Sequence, residues 1–387
     1  MQRIYLDHNA TTPVRPEVVD RMIAVLRQEF GNPSSVHHFG QGAKAVIDEA
    51  RTLTAALVDG DPSEVFFTSG GTESDNVALR GVAEAMEASG RKHLVATSIE
   101  HEAVLNTLKA LARRGWRVTL LPVDETGVVS PDALSDALAS DTALVSVMHA
   151  NNEIGTIQPI AELARRAHAG GAVFHTDAVQ TAGKLPISVR TLGVDLLSIS
   201  AHKFYGPKGV GALWVRRGIR VHPVLTGGRQ ERNRRAGTEN VPGIMGLGVA
   251  AGLAQAKMDE EGLRLGVLRD RLEAGIVAAV PGTTVNGGGS ARVPNTTNIS
   301  FDRVEAESLL IALDLDGVAV STGSACSSGT LEPSHVLKAM GLPTHRTQNS
   351  IRFSLGAANT DADIDRVLAI LPALVSKLRS LTRAVRA

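Results

Sequence analysis

Ser200, His202 and Lys203 stand together in Ser200-Ala201-His202-Lys203, and the glycine-rich run Gly206-Pro207-Lys208-Gly209-Val210-Gly211 follows. The preceding residues, Gly193 to Ile199, are short-chained or apolar and read as a buried strand. A hydroxyl, an imidazole and an amine therefore emerge where a strand leaves the core, the edge at which open α/β sheets bind ligands. A lysine so placed suits a Schiff base with an aldehyde cofactor, with its neighbours on that cofactor's phosphate. A surface lysine on a glycine-rich turn fits the same stretch, so the rest of the chain must choose between them.

Gly70-Gly71-Thr72-Glu73-Ser74 lies between a strand pattern and a helix pattern. Its glycines let backbone close on an anion, and the N–H groups of a helix start attract it. It also reads as an ordinary helix start with Thr72 as N-cap. It is neither a Walker A loop nor a dinucleotide fingerprint, which favours a single-phosphate cofactor. Asp177 ends a buried strand and can pair with a pyridinium nitrogen, or simply cap the next segment. Gln180 can donate to a ring oxygen. His101 can stack on a flat cofactor and move protons, or serve structure alone. Cys326 is the one cysteine and lies among Ser, Gly and Thr, a setting that favours an accessible thiol. Arg352, in a strand pattern, can clamp a carboxylate or make a surface ion pair.

These residues need a scaffold of alternating elements. Strands are expected at Glu64–Thr68, His93–Thr97, Arg117–Leu121, Ala143–Met148, Ala172–Thr176 and Gly211–Val215. Helices are expected at Glu17–Gln28, Gly42–Val58, Asp75–Ala88, His101–Arg113, Pro131–Ala139 and Ile160–His168. That alternation predicts an α/β fold with a mostly parallel, doubly covered sheet. From about Val241 a long helical region leads into short strands at Thr283–Asn286, Asn298–Phe301 and Ile351–Ser354. These alternate with helices near Glu305–Leu313, Ser334–Met340 and Asp361–Leu378, a smaller α+β domain. The expected division is 15–255 for the large domain, and 1–14 with 256–387 for the small one. A small-residue loop at about 321–333 carries Cys326.

The chain has 387 residues, 43% of them hydrophobic, enough for a large core. Lys plus Arg and Asp plus Glu are both 40, and aromatic residues make up 3%, so neither charge nor stacking platforms suggest nucleic acid. No apolar stretch is long enough for a bilayer, and the N-terminus does not read as a signal peptide, so the expectation is a cytoplasmic protein with no membrane partner. A single cysteine excludes an intrachain disulfide.

Taken in order, several motifs resemble one family. They are Tyr5-Leu6-Asp7 through Thr11-Thr12, Gly31-Asn32-Pro33-Ser34-Ser35, Thr68 through Ser74, and His149-Ala150-Asn151-Asn152-Glu153. Asp177-Ala178-Val179-Gln180, Ser200 through Lys203, Arg234 through Asn240, Gly323-Ser324-Ala325-Cys326 and Arg352-Phe353-Ser354 complete the set. The chain resembles the pyridoxal-phosphate-dependent cysteine desulfurases of the NifS/IscS type, with the class V aminotransferase fold (fold type I), over nearly its whole length.

The resemblance implies that Lys203 holds pyridoxal 5'-phosphate and shuttles the α-proton of L-cysteine. Gly71, Thr72, Ser200 and His202 would hold the phosphate. Thr238 would reach the neighbouring subunit's phosphate, implying a homodimer. Asp177 would pair with the ring nitrogen and Gln180 with the ring hydroxyl, while His101 would stack on the ring. Asn152 and Arg352, with Asn32, would orient the substrate. Cys326 would take the sulfur as a persulfide and pass it to an iron–sulfur scaffold or other acceptor protein. As a metal ligand Cys326 would be at most a transient contact to an iron–sulfur cluster. Housekeeping members carry a longer C-terminal extension; the chain stops soon after the Asp361–Leu378 pattern, which resembles the nitrogen-fixation-like or an unassigned branch. A selenocysteine lyase, another class V aminotransferase, or a non-enzymatic iron–sulfur or redox scaffold are the alternatives.

Overall fold

Short strands, most of them buried along their whole length, build the centre of the molecule. The computed structural model describes residues 3–322 and 333–386. After β1 (Ile4–Tyr5) come β2 (Val65–Thr68), β3 (His93–Thr97), β4 (Arg117–Leu121), β5 (Thr142–Ser146), β6 (Val173–Asp177), β7 (Leu196–Ser200) and β8 (Gly211–Val215). The last seven form one sheet in the order β2-β8-β7-β6-β5-β3-β4. Neighbours are parallel except around β8, which is antiparallel to both β2 and β7. All residues of β2, β3, β5, β6, β7 and β8 are buried, as a sheet covered on both faces requires.

Strand alternation sends neighbouring side chains into two different apolar clusters. Phe67 and Leu197 join Val145, Ile244 and Leu247 on one face. Phe66 and Leu196 join Leu79, Leu94 and Leu108 on the other.

The remaining strands are β9 (Thr283–Asn286), β10 (Thr296–Phe301), β11 (Val318–Ala319) and β12 (Ser350–Ser354). β10 pairs antiparallel with both β9 and β12, and β11 pairs parallel with β1. Ile4 and Leu6 share a third cluster with Leu268, Phe301, Leu309, Phe353 and Val367. The helix Val241–Ala279 bridges the clusters: Ile244, Leu247 and Ala251 belong to the first, and Leu265, Leu268, Leu272 and Ile276 to the third. The spacing of the latter four is that of one helix face.

Several expected boundaries move. The helix expected from Gly42 runs His38–Leu57, because Gly40 packs against the preceding loop and the His37 ring caps its N–H. A Cβ at Gly40 would stand 2.4 Å from the Ser35 carbonyl oxygen. The helix expected from Asp75 runs Gly71–Glu87, and Gly70 rather than Thr72 is its N-cap. With Thr72 inside the first turn, the helix end comes closer to Ser200.

Candidate active site

The lysine turn is built by register. Gly211 of β8 pairs with Thr68 of β2 on one side and Ser200 of β7 on the other. The Gly70–Gly71 bend therefore lies beside Ser200, where a Cβ on Gly211 would come 2.7 Å from the Gly70 Cα. Past Ser200 a short 3-10 turn carries Ala201–Lys203. Chain from the far N-terminus runs along this turn. Thr12 bonds the His202 carbonyl through both its N–H and its hydroxyl, and its hydroxyl accepts from Tyr205 N at 2.7 Å. Lys203 Nζ donates to the carbonyls of Asn9 at 2.6 Å and Ala10 at 2.8 Å.

An anion can be cradled beside this turn. A Cβ at Gly71 would stand 2.8 Å from Val179 Cγ2 and 3.6 Å from Ser200 Cβ, so glycine keeps that space open at a helix start. Gly70 has φ +151°, a conformation that glycine tolerates. His202 Nδ1 lies 3.1 Å from Thr11 Oγ1. Burial first, then Lys203 and Lys208, push the His202 imidazole down to about 4, so it is neutral near pH 7. In the tautomer in which the Thr11 hydroxyl donates to Nδ1, the ring proton sits on Nε2 and can donate to an anion.

Asp177 ends β6 next to β7, and its Oδ1 accepts from Val179 N at 2.9 Å. Burial raises its pKa, against opposing pulls from His101, the Val179 N–H and Lys203. His101 caps the helix Glu102–Ala112, its Nδ1 accepting from Ala103 N at 3.1 Å. That bond places the ring proton on Nε2. Burial lowers the His101 pKa; Asp177 pulls it back and Lys203 pushes further down. Because β3, β5, β6 and β7 run parallel, His101 after β3, Asp177 at the end of β6 and Lys203 after β7 lie at one strand-end edge of the sheet.

Gln180 belongs to the same group: its Nε2 donates to the Asn9 carbonyl, the acceptor that also takes Lys203. Arg352 of β12 is 2% exposed and donates from Nη1 to the Asn152 carbonyl at 3.0 Å and from Nη2 to Asp7 Oδ1 at 2.6 Å. Among the described residues its Nε has no hydrogen-bond partner. The Arg352 backbone also pairs with Ser321, at the edge of the described residues.

Two expected residues lie apart from this group. Asn32 is exposed and its Oδ1 accepts from Ser34 N within its own loop. Thr238 is exposed and lines a separate cleft with Ser69, Gly209 and Glu239. Thr72 is exposed on the first turn of its helix. Cys326 lies outside the described residues. Among the described residues no group of three or more His, Cys, Asp or Glu could hold a metal ion.

Sequence reasoning missed Asn9, Asp7 and Lys184. Asn9 binds both Lys203 and Gln180, Asp7 holds Arg352, and Lys184 Nζ donates to Gln180 Oε1 and Asn9 Oδ1, each at 3.0 Å. Lys184 carried one usable signal: it follows Gln180 at a spacing that shares one helical face.

The donor set suits pyridoxal phosphate. An open cradle at a helix start with Ser200 and His202 fits one phosphate. A buried carboxylate fits a pyridine nitrogen, and a lysine beside both fits an aldehyde carbon.

The Aminotransferase class-V family model matches residues 4–367. A curated relative, "Cysteine desulfurase IscS" of Dictyoglomus turgidum, is 52% identical over 381 residues, spanning 98% of this chain and 96% of that one. Among solved structures, a "NIFS-LIKE PROTEIN" superposes with TM-score 0.92 at 40% identity, covering 97% of this chain and 100% of that one. The structure titled "SspA in complex with cysteine" has TM-score 0.80 at 35% identity, covering 91% and 98%. With nearly the whole chain matched at this level, and with the lysine, carboxylate and glycine cradle gathered at the strand ends, the chain belongs to the class V aminotransferase family.

Proposed function

We propose that this protein converts L-cysteine and its own Cys326 thiol into L-alanine and a Cys326 persulfide. It is a pyridoxal-phosphate-dependent cysteine desulfurase. The observation that carries the reading is the gathering of Lys203, Asp177, His101 and the Gly71–Ser200 cradle, in a chain 52% identical to a cysteine desulfurase. The structure of a relative titled as a complex with cysteine supports the substrate.

When bound, the cofactor supplies an electron-withdrawing ring that loosens the bonds at the amino acid's Cα. Thr72, Ser200, His202 and the N–H groups at Gly71 would hold its phosphate. Asp177 would face the ring nitrogen and keep it protonated, and Gln180 would donate to the ring hydroxyl. Lys203 would hold the aldehyde carbon covalently and, once displaced by substrate, carry the α-proton. His101, neutral and with its proton on Nε2, would lie on the ring face and pass a proton to or from substrate. Arg352 would take the substrate carboxylate, helped by Asn152, whose carbonyl holds the guanidinium, and by Asn32. The Cys326 thiolate would attack the substrate sulfur. The Cβ–S bond breaks as the S–S bond forms, and the carbon skeleton leaves as alanine.

Thr238 would complete a neighbouring subunit's phosphate site, which makes the functional unit a homodimer. The sulfur would go to an acceptor protein for iron–sulfur cluster assembly, in the cytoplasm. No helix among the described residues is long and apolar enough to cross a membrane. The division at 15–255, against 1–14 with 256–387, is part of the same reading; the separate apolar clusters support it.

Purified protein given L-cysteine under anaerobic conditions tests the reading. Alanine and sulfide are assayed together, beside Cys326→Ala and Lys203→Ala variants. Alanine that vanishes without Lys203 and falls steeply without Cys326 is the expected result. A cofactor-loaded protein that makes no alanine from cysteine would overturn it.

A further inference from the structure

The second lysine of the site has no role in the reaction as described. Lys184 follows Gly183 on the turn after Gln180, and its ammonium bridges Gln180 Oε1 and Asn9 Oδ1 at 3.0 Å each. An ammonium only donates, so both oxygens must face it. This settles which way the Gln180 carboxamide points: its oxygen turns to Lys184 and its NH2 is the end left to donate. In the structure that NH2 reaches the Asn9 carbonyl at 3.1 Å, the same oxygen that takes Lys203 Nζ at 2.6 Å. Lys184 and Lys203 thus sit on two oxygens of one asparagine. Asn295 Nδ2 donates to Asn9 Oδ1 at 3.1 Å and holds that asparagine from the other side.

Among the described residues no carboxylate is set against Lys184 to neutralise it. Lys203 and Arg352 are the charged groups that act on it, and both are cationic. His8, on the N-terminal segment, is pushed down to about 4 by burial and by Lys184, so it is neutral near pH 7. Glu261 lines the same cavity but is engaged by Arg15. Burial first, then Lys203 and Arg352, bring the Lys184 ammonium down to about 7. A buried lysine held against two cations carries a cost in stability. Two hydrogen bonds to neutral oxygens offset part of it.

We propose that Lys184 is a positioning residue for the cofactor: it locks the Gln180 amide with its NH2 towards the ring hydroxyl and, in its protonated form, sets a positive charge near Lys203. The inference rests on the reading that the cofactor binds at Lys203. While Lys184 is protonated, its charge would disfavour a further proton on the nitrogen through which Lys203 would hold the cofactor, and that nitrogen would be easier to deprotonate. The locked amide removes the alternative in which Gln180 offers an oxygen to an oxygen.

The test uses holoenzyme and two readouts other than turnover. One is the pH midpoint of the cofactor's visible absorbance; the other is the rate at which the cofactor is lost on dilution. In Lys184→Met the midpoint should rise by about one pH unit, the scale of one nearby charge. Cofactor loss should quicken about tenfold, the worth of one hydrogen bond misdirected. Lys184→Arg, which keeps charge and donors, should recover most of both. If Lys184→Met does not fold, Lys184→Gln removes the charge with a similar shape, and its midpoint should rise in the same way. A midpoint and loss rate like the parent's in the neutral variant would overturn the inference while leaving the parent's Lys203-dependent absorbance intact. A parent without that absorbance would overturn the underlying reading instead.

Discussion

Arg352 Nη2 and Asp7 Oδ1 lie 2.6 Å apart, joining β12 to the N-terminal segment across 345 residues of chain. The arginine side chain is 2% exposed and the aspartate 18%, so the pair is largely desolvated. The same guanidinium donates to the Asn152 carbonyl, and among the described residues its Nε has no hydrogen-bond partner. Asp7 therefore fixes the group proposed to meet the substrate carboxylate before substrate arrives. Through its backbone bonds to Ser321, Arg352 also ties that clamp to the chain leading towards Cys326.

Replacing Arg352 by Lys keeps the charge and loses the planar fork. The expected result is a KM for cysteine raised about 10- to 100-fold, the cost of one charge-assisted hydrogen bond, with kcat changed less. Steady-state kinetics on cofactor-loaded protein check this. A KM like the parent's would remove Arg352 from the substrate site.

Lys184 is not expected to replace Lys203. Its ammonium is engaged by Gln180 and Asn9 on a different turn. In Lys203→Ala, borohydride treatment with pyridoxal phosphate should leave no reduced adduct on the peptide that contains Lys184. Mass spectrometry of the digest reads this directly, and an adduct at Lys184 would show that the two amines reach the same point.

Asp177→Asn removes the negative charge at the end of β6 and keeps its shape. The carboxylate is the group proposed to keep the ring nitrogen protonated, so alanine formation should fall about 10²- to 10³-fold, the scale of losing one preorganised electrostatic partner. Cofactor content, read by absorbance after denaturation, should stay near that of the parent. Equal turnover in the variant would contradict the assignment.

Glu100, beside His101, is fully buried, and its Oε1 accepts from Thr97 Oγ1 at 2.6 Å and Met148 N at 3.0 Å. Among the described residues its Oε2 has no hydrogen-bond partner. Burial raises its pKa from 4.5 to about 8, against the pull of those two hydrogen bonds. A carboxyl whose folded pKa is raised gives stability that is fully present below about pH 4.5 and is lost as pH rises through about 8. Glu100→Gln keeps the acceptor and cannot ionise. Urea midpoints at pH 6 and pH 9 should therefore diverge, with the variant gaining on the parent at the higher pH by about 1 kcal/mol or more. Parallel pH profiles would mean that Glu100 ionises as freely in the folded protein as in the unfolded chain.

Much of this protein is written locally. Buried runs such as Leu196–Ser200 and Thr142–Ser146, alternating with helical patterns, determine an α/β fold, because period and burial are properties of a few neighbouring residues. Lys203, Asp177 and Gln180 were legible for a related reason: each ends or follows a strand, and strand ends share one edge of a parallel sheet. Helix starts were less legible. Gly71–Glu87 and His38–Leu57 each begin four residues before their expected starts at Asp75 and Gly42, because contacts from distant chain, not glycine propensity, decide where the first turn forms.

What tertiary structure decided is which distant groups share an atom. β8 sets the Gly70–Gly71 bend beside Ser200 because Gly211 pairs with both flanking strands, and an antiparallel strand in that place follows from the whole sheet. Asn9 became the link between two lysines only when the N-terminal segment lay along the Ala201–Lys203 turn. A hydrogen bond across nearly two hundred residues leaves no periodic mark in sequence. Its geometry is set by the packing of the segments that carry its two ends.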